Sequence, residues 1–142
     1  INMDVLKMEN KNKYDFIVLD APCSAIGTIR RNPEIFFRNK EPNFLNLISN
    51  QENLLDKAVN LLNKNGTLLY MVCSFFKTET VDQIDKLLLR NKSVFLDDFY
   101  LSNDNKKYKW MIKNKFLFTL PTNVMDFKTD GYFGAFLKKK NL

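Results

Sequence analysis

The segment that most limits how this chain can fold is Tyr14–Glu34, YDFIVLDAPCSAIGTIRRNPE. Its first part, Tyr14 to Leu19, is a short apolar run with β-branched residues, which predicts a strand covered on both faces. Asp20 closes the run, and Pro22 and Gly27 forbid continuation as strand or helix. In open α/β sheets, ligands and chemistry gather just beyond the carboxyl ends of the strands. An acid and a thiol, Cys23, at such a strand end are a site candidate. An ordinary strand exit with an N-capping aspartate is the competing reading.

Thr67 to Cys73, TLLYMVC, is a second apolar strand, set off by a helix stop at Asn65-Gly66. Cys23 and Cys73 are the chain's two cysteines, and each stands at the end of a strand expected to run parallel to the other. Neighbouring strands lie about 5 Å apart, so the two thiols are expected to face one cleft. A disulfide between them is the alternative. Nothing else in the composition suggests a secreted chain, and cytosolic thiols stay reduced.

The absence of histidine removes Ser-His-Asp and Cys-His nucleophile systems, zincin motifs and two-His iron sites together. Two cysteines without histidine do not make a thiolate zinc site, so no metal is expected. At 142 residues the chain has the size of one domain with a modest core. Its net charge of +6 favours a polyanionic partner such as RNA, although abundant Asn alongside the Lys also reads as compositional bias. No run of eighteen apolar residues and no charged-then-apolar leader is visible, so a cytoplasmic chain without a membrane span is expected.

Between Asn43 and Lys64 the apolar residues fall at Leu47/Ile48, Leu54/Leu55, Ala58 and Leu61/Leu62. That spacing predicts an amphipathic helix, with Gly66 ending it in the left-handed conformation. A second helix is predicted over Thr80–Leu89, with Thr80 and Gln83 as a capping box and Val81, Ile84, Leu87 and Leu88 as its buried stripe. A strand over Ser93–Tyr100, a polar loop over Leu101–Lys109 and a final strand over Gly131–Leu137 with a basic tail, Lys138–Lys140, complete the plan. Trp110–Leu120 reads either as a β-hairpin or as a lone edge strand. This order suits the second half of a doubly wound α/β sheet. No glycine-rich loop follows an early strand, only four glycines occur, and the first residue is Ile1. The chain is therefore expected to be the carboxyl-terminal part of a larger domain.

Three ordered motifs carry a family resemblance. Asp20-Ala21-Pro22-Cys23-Ser24 with Ile29-Arg30-Arg31-Asn32-Pro33-Glu34 resembles motif IV of the Nop/Sun RNA cytosine-5 methyltransferases. Tyr70-Met71-Val72-Cys73-Ser74 resembles their motif VI, and Asp130-Gly131-Tyr132-Phe133-Gly134-Ala135-Phe136 their closing strand. The form around Cys23 is most similar to the bacterial small-subunit ribosomal RNA branch. The resemblance implies the second half of a class I S-adenosylmethionine-dependent methyltransferase (Rossmann-like) sheet with an antiparallel final strand. Residues 1–142 would then lack the first half with its glycine-rich cofactor loop.

The implied activity is methylation of cytosine C5 in RNA, with 16S small-subunit rRNA as the implied partner and S-adenosylmethionine as cofactor. Cys73 would be the nucleophile that adds to C6, Cys23 the residue of product release, and Asp20 the contact to cytosine N3. Asp20 and Asp4 would bind the cofactor, although on sequence alone Asp4 is a plain surface aspartate. Arg30 and Arg31 would bind RNA, or else form an ion pair with Glu34 or Glu41. The start of the helix after Cys73, together with Lys77, is expected to favour the thiolate. Phe75 and Phe76 are expected in the core rather than stacked on a base. The chain departs from the motif at Lys77-Thr78-Glu79-Thr80, where the family has Pro-Glu-Glu-Asn, at Val72 for Thr and at Asn32 for His. A catalytically inert RNA-binding remnant of the same fold is the alternative. A dithiol redox protein is disfavoured because the cysteines are not in a C-x-x-C arrangement.

Overall fold

The computed structural model describes residues 2–9, 11, 13–99, 108–121 and 128–141. The strands are β1 (Tyr14–Asp20), β2 (Leu62–Val72), β3 (Val94–Leu96), β4 (Ile112–Lys113), β5 (Phe116–Thr119) and β6 (Tyr132–Lys139). The helices are α1 (Phe44–Leu61) and α2 (Val81–Arg90). β1 and β2 pair in parallel, and every other strand pairing is antiparallel. β6 lies beside β2 along one edge, while its other edge takes β5 and β3 in tandem. β4 and β5 form a hairpin whose turn residues Asn114 and Lys115 both have positive φ, which matches the twist of the flanking strands. The hairpin reading of this segment holds.

Register places Ile17 opposite Leu68, Leu19 opposite Tyr70, and Leu68, Tyr70 and Val72 opposite Leu137, Ala135 and Phe133. These side chains share one face and pack with Leu55, Ala58 and Val59 of α1 and Ile84 and Leu87 of α2. Phe133 is the centre of the aromatic part of this core, with Tyr70, Phe116 and Phe118 at ring distances of 6.2, 5.3 and 5.2 Å. Burial of the apolar stripe against the sheet is what makes α1 and α2 stable.

The opposite face of β1 is bare. Tyr14, Phe16 and Val18 are exposed, so the described residues cover this strand on one of the two faces that its apolar run predicts to be buried. Local pattern reports that side chains are apolar on both faces; it does not report whether a second layer exists to cover them.

Two predicted boundaries also move. α1 ends at Leu61, and β2 begins at the next residue. The Asn65-Gly66 pair therefore sits inside β2, where the register between Tyr14 and Phe16 shifts. The left-handed residue there is Asn65, with φ 59°, and not Gly66. Asn43 caps α1 by accepting from the Asn46 amide at 3.1 Å. Thr80 makes no side-chain cap on α2: its hydroxyl donates to the Phe76 carbonyl, and Gln83 turns inward to Ile48 and Gln51. The capping box is thus not formed, because both of its side chains find partners in the interior.

The predicted strand Ser93–Tyr100 shortens to β3, and Tyr100 and most of the polar loop, residues 101–107, lie outside the described residues. Lys138 and Lys139 belong to β6 rather than to a tail. Lys139 donates to the carbonyls of Val59 and Leu62 at 2.9 Å each, closing the end of α1 as a cation at a helix carboxyl terminus should.

Candidate functional site

The three motif segments meet in backbone before any side chain is considered. Past Asp20, Ala21 donates to the Met71 carbonyl, so the parallel pairing runs on to the threshold of both cysteines. Ala25 then takes a left-handed conformation, φ 61°, and opens a short 3-10 turn, Ile26–Thr28. Within it Gly27 donates to the Cys73 carbonyl at 3.0 Å and accepts from the Gly131 amide at 2.7 Å. A Cβ on Gly27 would collide with the Gly131 carbonyl. Only glycine lets these backbones approach so closely.

Cys23 and Cys73 come together as the strand ends suggest. Their sulfurs are 3.4 Å apart, both are free thiols, and both are partly buried. The Cys73 thiol is pulled down to about 7, chiefly because the Cys23 S–H donates to its thiolate; partial burial and the charges of Asp20 and Glu79 act against this. The Cys23 thiol is pushed up, first by that same bond and then by burial. One sulfur ionises and the other keeps its proton to support it.

The expected helix terminus does not contribute: Cys73 is followed by a 3-10 turn, Lys77–Glu79, and α2 begins only at Val81. Lys77 is turned away, paired with Asp82 at 3.2 Å and largely exposed. Asp20 stands exposed at the end of β1, opposite Met71. An open recess of about 500 Å³ borders Cys23 and is rimmed by Pro42, Asn43, Asn46, Leu47 and Asn50.

Beneath the thiols lies a polar cluster that sequence reading missed. Glu79 is fully buried. Its carboxylate accepts from the Ser24 amide at 2.8 Å, from the Ser24 and Ser74 hydroxyls at 2.6 Å each, and from Gln51 Nε2 at 3.3 Å. Gln51 also donates to the Pro22 carbonyl, and the Tyr70 hydroxyl donates to the Glu79 carbonyl at 2.9 Å. The one available signal was a motif comparison, in which Glu79 is the acid retained after Cys73. Its local surroundings, Lys77-Thr78-Glu79-Thr80, look like solvated surface.

The arginines find a different acid from either one the sequence offers. Arg30 Nη2 lies 3.2 Å from Asp130 Oδ1, and Arg31 Nε bonds Asp130 Oδ2. Asp130 is buried, so this pair, and not Glu34 or Glu41, holds the turn after Cys23 to the start of β6. Arg31 remains half exposed. Asp4 is exposed and caps a 3-10 turn, Val5–Lys7, by accepting from the Leu6 amide; the structure shows no contact between it and the thiols. Phe75 and Phe76 are not core residues. They are 38% and 37% exposed, and Phe76 packs edge-on against Phe44 at 5.6 Å on the wall of a pocket of about 330 Å³ with Ile35, Phe36 and Arg38.

Known proteins resemble this chain over most of its length. The family model described as 16S rRNA methyltransferase RsmB/F matches residues 1–138. Ribosomal RNA small subunit methyltransferase B of Shewanella oneidensis is 38% identical over 100 residues, 70% of this chain and 23% of that protein. The protein of the same name from Cronobacter sakazakii is 39% identical over 87 residues, 61% of this chain and 20% of that protein. The chain thus spans about a quarter or less of the length of these curated relatives.

Among solved structures, NSun6 from Pyrococcus horikoshii, solved with SFG, superposes with a TM-score of 0.73 at 25% identity, covering 98% of this chain and 34% of that one. A methyltransferase homolog protein from the same organism superposes with a TM-score of 0.60 at 28% identity, covering 90% and 40%. These neighbours are Rossmann-like methyltransferases, and this chain is part of such a domain.

Proposed function

We propose that this chain, which belongs to the 16S rRNA methyltransferase RsmB/F family, is the carboxyl-terminal portion of a cytoplasmic catalytic domain that methylates cytosine C5 in small-subunit rRNA. The first half of that domain, with its glycine-rich cofactor loop, would lie outside residues 1–142. The observation that carries the reading is the thiol pair: sulfurs 3.4 Å apart at the ends of two parallel strands, one lowered to about 7, beside an exposed carboxylate.

Cytosine C5 is too weak a nucleophile to take a methyl group unaided, and a thiolate added at C6 corrects this. The Cys73 thiolate forms a bond to C6, the C5=C6 pair shifts to C4=C5, and the C4=N3 pair moves to N3, which takes a proton from water. Asp20 is assigned to that N3 edge. C5 then bonds the methyl group with the C4=C5 pair as C4=N3 re-forms and N3 returns its proton to water. Water takes the C5 proton, and that C–H pair forms C5=C6 as the Cys73–C6 bond breaks and the sulfur leaves as thiolate. Charge develops on the Cys73 sulfur at that moment. The Cys23 S–H, already its hydrogen-bond donor, is placed to stabilise the departing thiolate. A chain lacking Cys23 should therefore form the adduct and fail to release it.

S-adenosylmethionine, when bound, supplies the electrophilic methyl group, and the RNA methyltransferase family together with a neighbour solved with SFG, an analogue of it, supports this assignment. Asp20, exposed at the strand end, fits a cofactor contact there, and Asp4 is proposed as a second. The four glycines are committed elsewhere, to the Gly27–Gly131 contact, to β2 and to β6, so these residues supply one wall of a cofactor site. RNA is proposed to run past Arg31 and the amide-rimmed recess, with a flipped, unstacked target base reaching Cys73.

The test is mass spectrometry of a Cys23→Ala chain after incubation with a small-subunit rRNA fragment and S-adenosylmethionine. A covalent RNA–protein adduct, lost in Cys23→Ala/Cys73→Ala, is the expected result. RNA that binds with neither adduct nor methylation would overturn it in favour of an inert RNA-binding remnant.

A further inference from the structure

We propose that Glu79 is the positioning residue of the dithiol: its buried carboxylate gathers the residue that follows each cysteine and so holds the two sulfurs within bonding distance. The inference rests on the reading of Cys73 as nucleophile and Cys23 as its partner.

Ser24 follows Cys23 and Ser74 follows Cys73, and both hydroxyls converge on the same oxygen, Glu79 Oε2. The other oxygen takes the Ser24 amide and Gln51 Nε2. Two loops separated by fifty residues are thereby fixed to one group. The backbone of Glu79 is itself held, through its amide to Phe76 and its carbonyl to the Tyr70 hydroxyl, so the carboxylate is a rigid anchor.

A fully buried carboxylate without a cation is costly, and an apolar side chain of similar volume would serve packing better. Its four donors are neutral. Nor does its charge help the nucleophile, since it opposes ionisation of both thiols. What Glu79 contributes at this place is alignment: the Cys23 S–H pointed at the Cys73 sulfur.

The side chains that act on Cys73 are Cys23 and Asp20 from β1 and its exit, and Glu79 from the turn before α2. Beside them, partial burial raises its pKa and a backbone hydrogen bond at Cys73 itself lowers it. This gives a test in which the sign of a shift separates alignment from charge. Loss of the Glu79 charge alone lowers the Cys73 midpoint, whereas loss of the Cys23 hydrogen bond raises it. Two readouts on the whole chain apply: the rate of Cys23–Cys73 disulfide formation with diamide, and the pH profile of Cys73 alkylation by iodoacetamide. In Glu79→Ala the bridging rate should fall about tenfold, as expected for sulfurs displaced by an ångström or so, and the alkylation midpoint should rise. In Glu79→Gln, which keeps the shape and can still bond both hydroxyls, bridging should stay near the wild-type rate and the midpoint should fall.

Wild-type bridging in Glu79→Ala, or a midpoint that falls there, overturns the proposal. Should circular dichroism show Glu79→Ala unfolded, Ser24→Ala/Ser74→Ala decides: slowed bridging supports the proposal, and an unchanged rate overturns it. Neither readout needs RNA or cofactor. Slowed bridging in a chain that never forms an RNA adduct would count against the methyltransferase reading alone.

Discussion

The two ends of the polarity scale are inverted between the exits of β1 and β2 and the outer face of β1. At the exits, Glu79, Gln51 and Gln83 are fully buried, and Glu79 and Gln51 have partners for every polar group. On the outer face, Phe16 and Val18 stand 55% exposed among the described residues. Burial in this chain covers polar groups at the strand exits while it leaves one face of an apolar strand open. The carboxyl-end junction is complete within the chain: backbone from three distant segments, a buried acid and a thiol pair mutually determine their positions. The outer face of β1 is not. The contrast teaches that the contacts which hold the thiols lie at the strand exits and not on that face.

Four substitutions would break or sharpen this contrast. Gly27→Ala should have the largest effect, a loss of about 3 kcal/mol of stability in urea unfolding, since overpacking against fixed backbone leaves no side chain to yield; tolerance within 1 kcal/mol would mean the junction is looser than its distances indicate. Cys23→Ala should raise the alkylation midpoint of Cys73 from about 7 toward the free-thiol value of about 8.5. The sign follows from the cause: the lost S–H donor favoured the thiolate, so at pH 7 the reactive fraction should drop roughly fifteenfold. Tyr70→Phe removes the hydroxyl that holds the Glu79 carbonyl and should cost about 1 kcal/mol with no change in secondary structure by circular dichroism. Phe16→Lys, on the bare face, should shift stability by less than about 0.5 kcal/mol; a loss of several kcal/mol would show that this face is covered in solution.

Much of the fold was legible because it is local. The helix stripes, the two strand runs, the hairpin and the meeting of Cys23 with Cys73 follow from periodicity and from where parallel strands end. What was illegible depends on partners far along the chain. Asp130 takes both Arg30 and Arg31 across about a hundred residues, a separation that no spacing rule reaches, whereas Glu34 and Glu41 were merely near in sequence. Glu79 is buried because Ser24, Ser74 and Gln51 arrive around it, although its own neighbours are Thr and Lys. Thr80 and Gln83 have the letters of a capping box, yet interior acceptors and donors outcompete the cap. The outer face of β1 shows the converse, since its apolar side chains state a preference for burial and the described residues supply no neighbour there.

The order in which the sheet is put together follows from the place of β6. It is the last of the six described strands in sequence, yet it is the member that β2, β3 and β5 all border. Without residues 132–139 the described sheet separates into the β1–β2 pair, β3 and the β4–β5 hairpin. Joining them is a long-range step of the kind that makes folding slow, and until β6 is in place one edge of β2 and one of β5 stay unpaired and prone to wrong association.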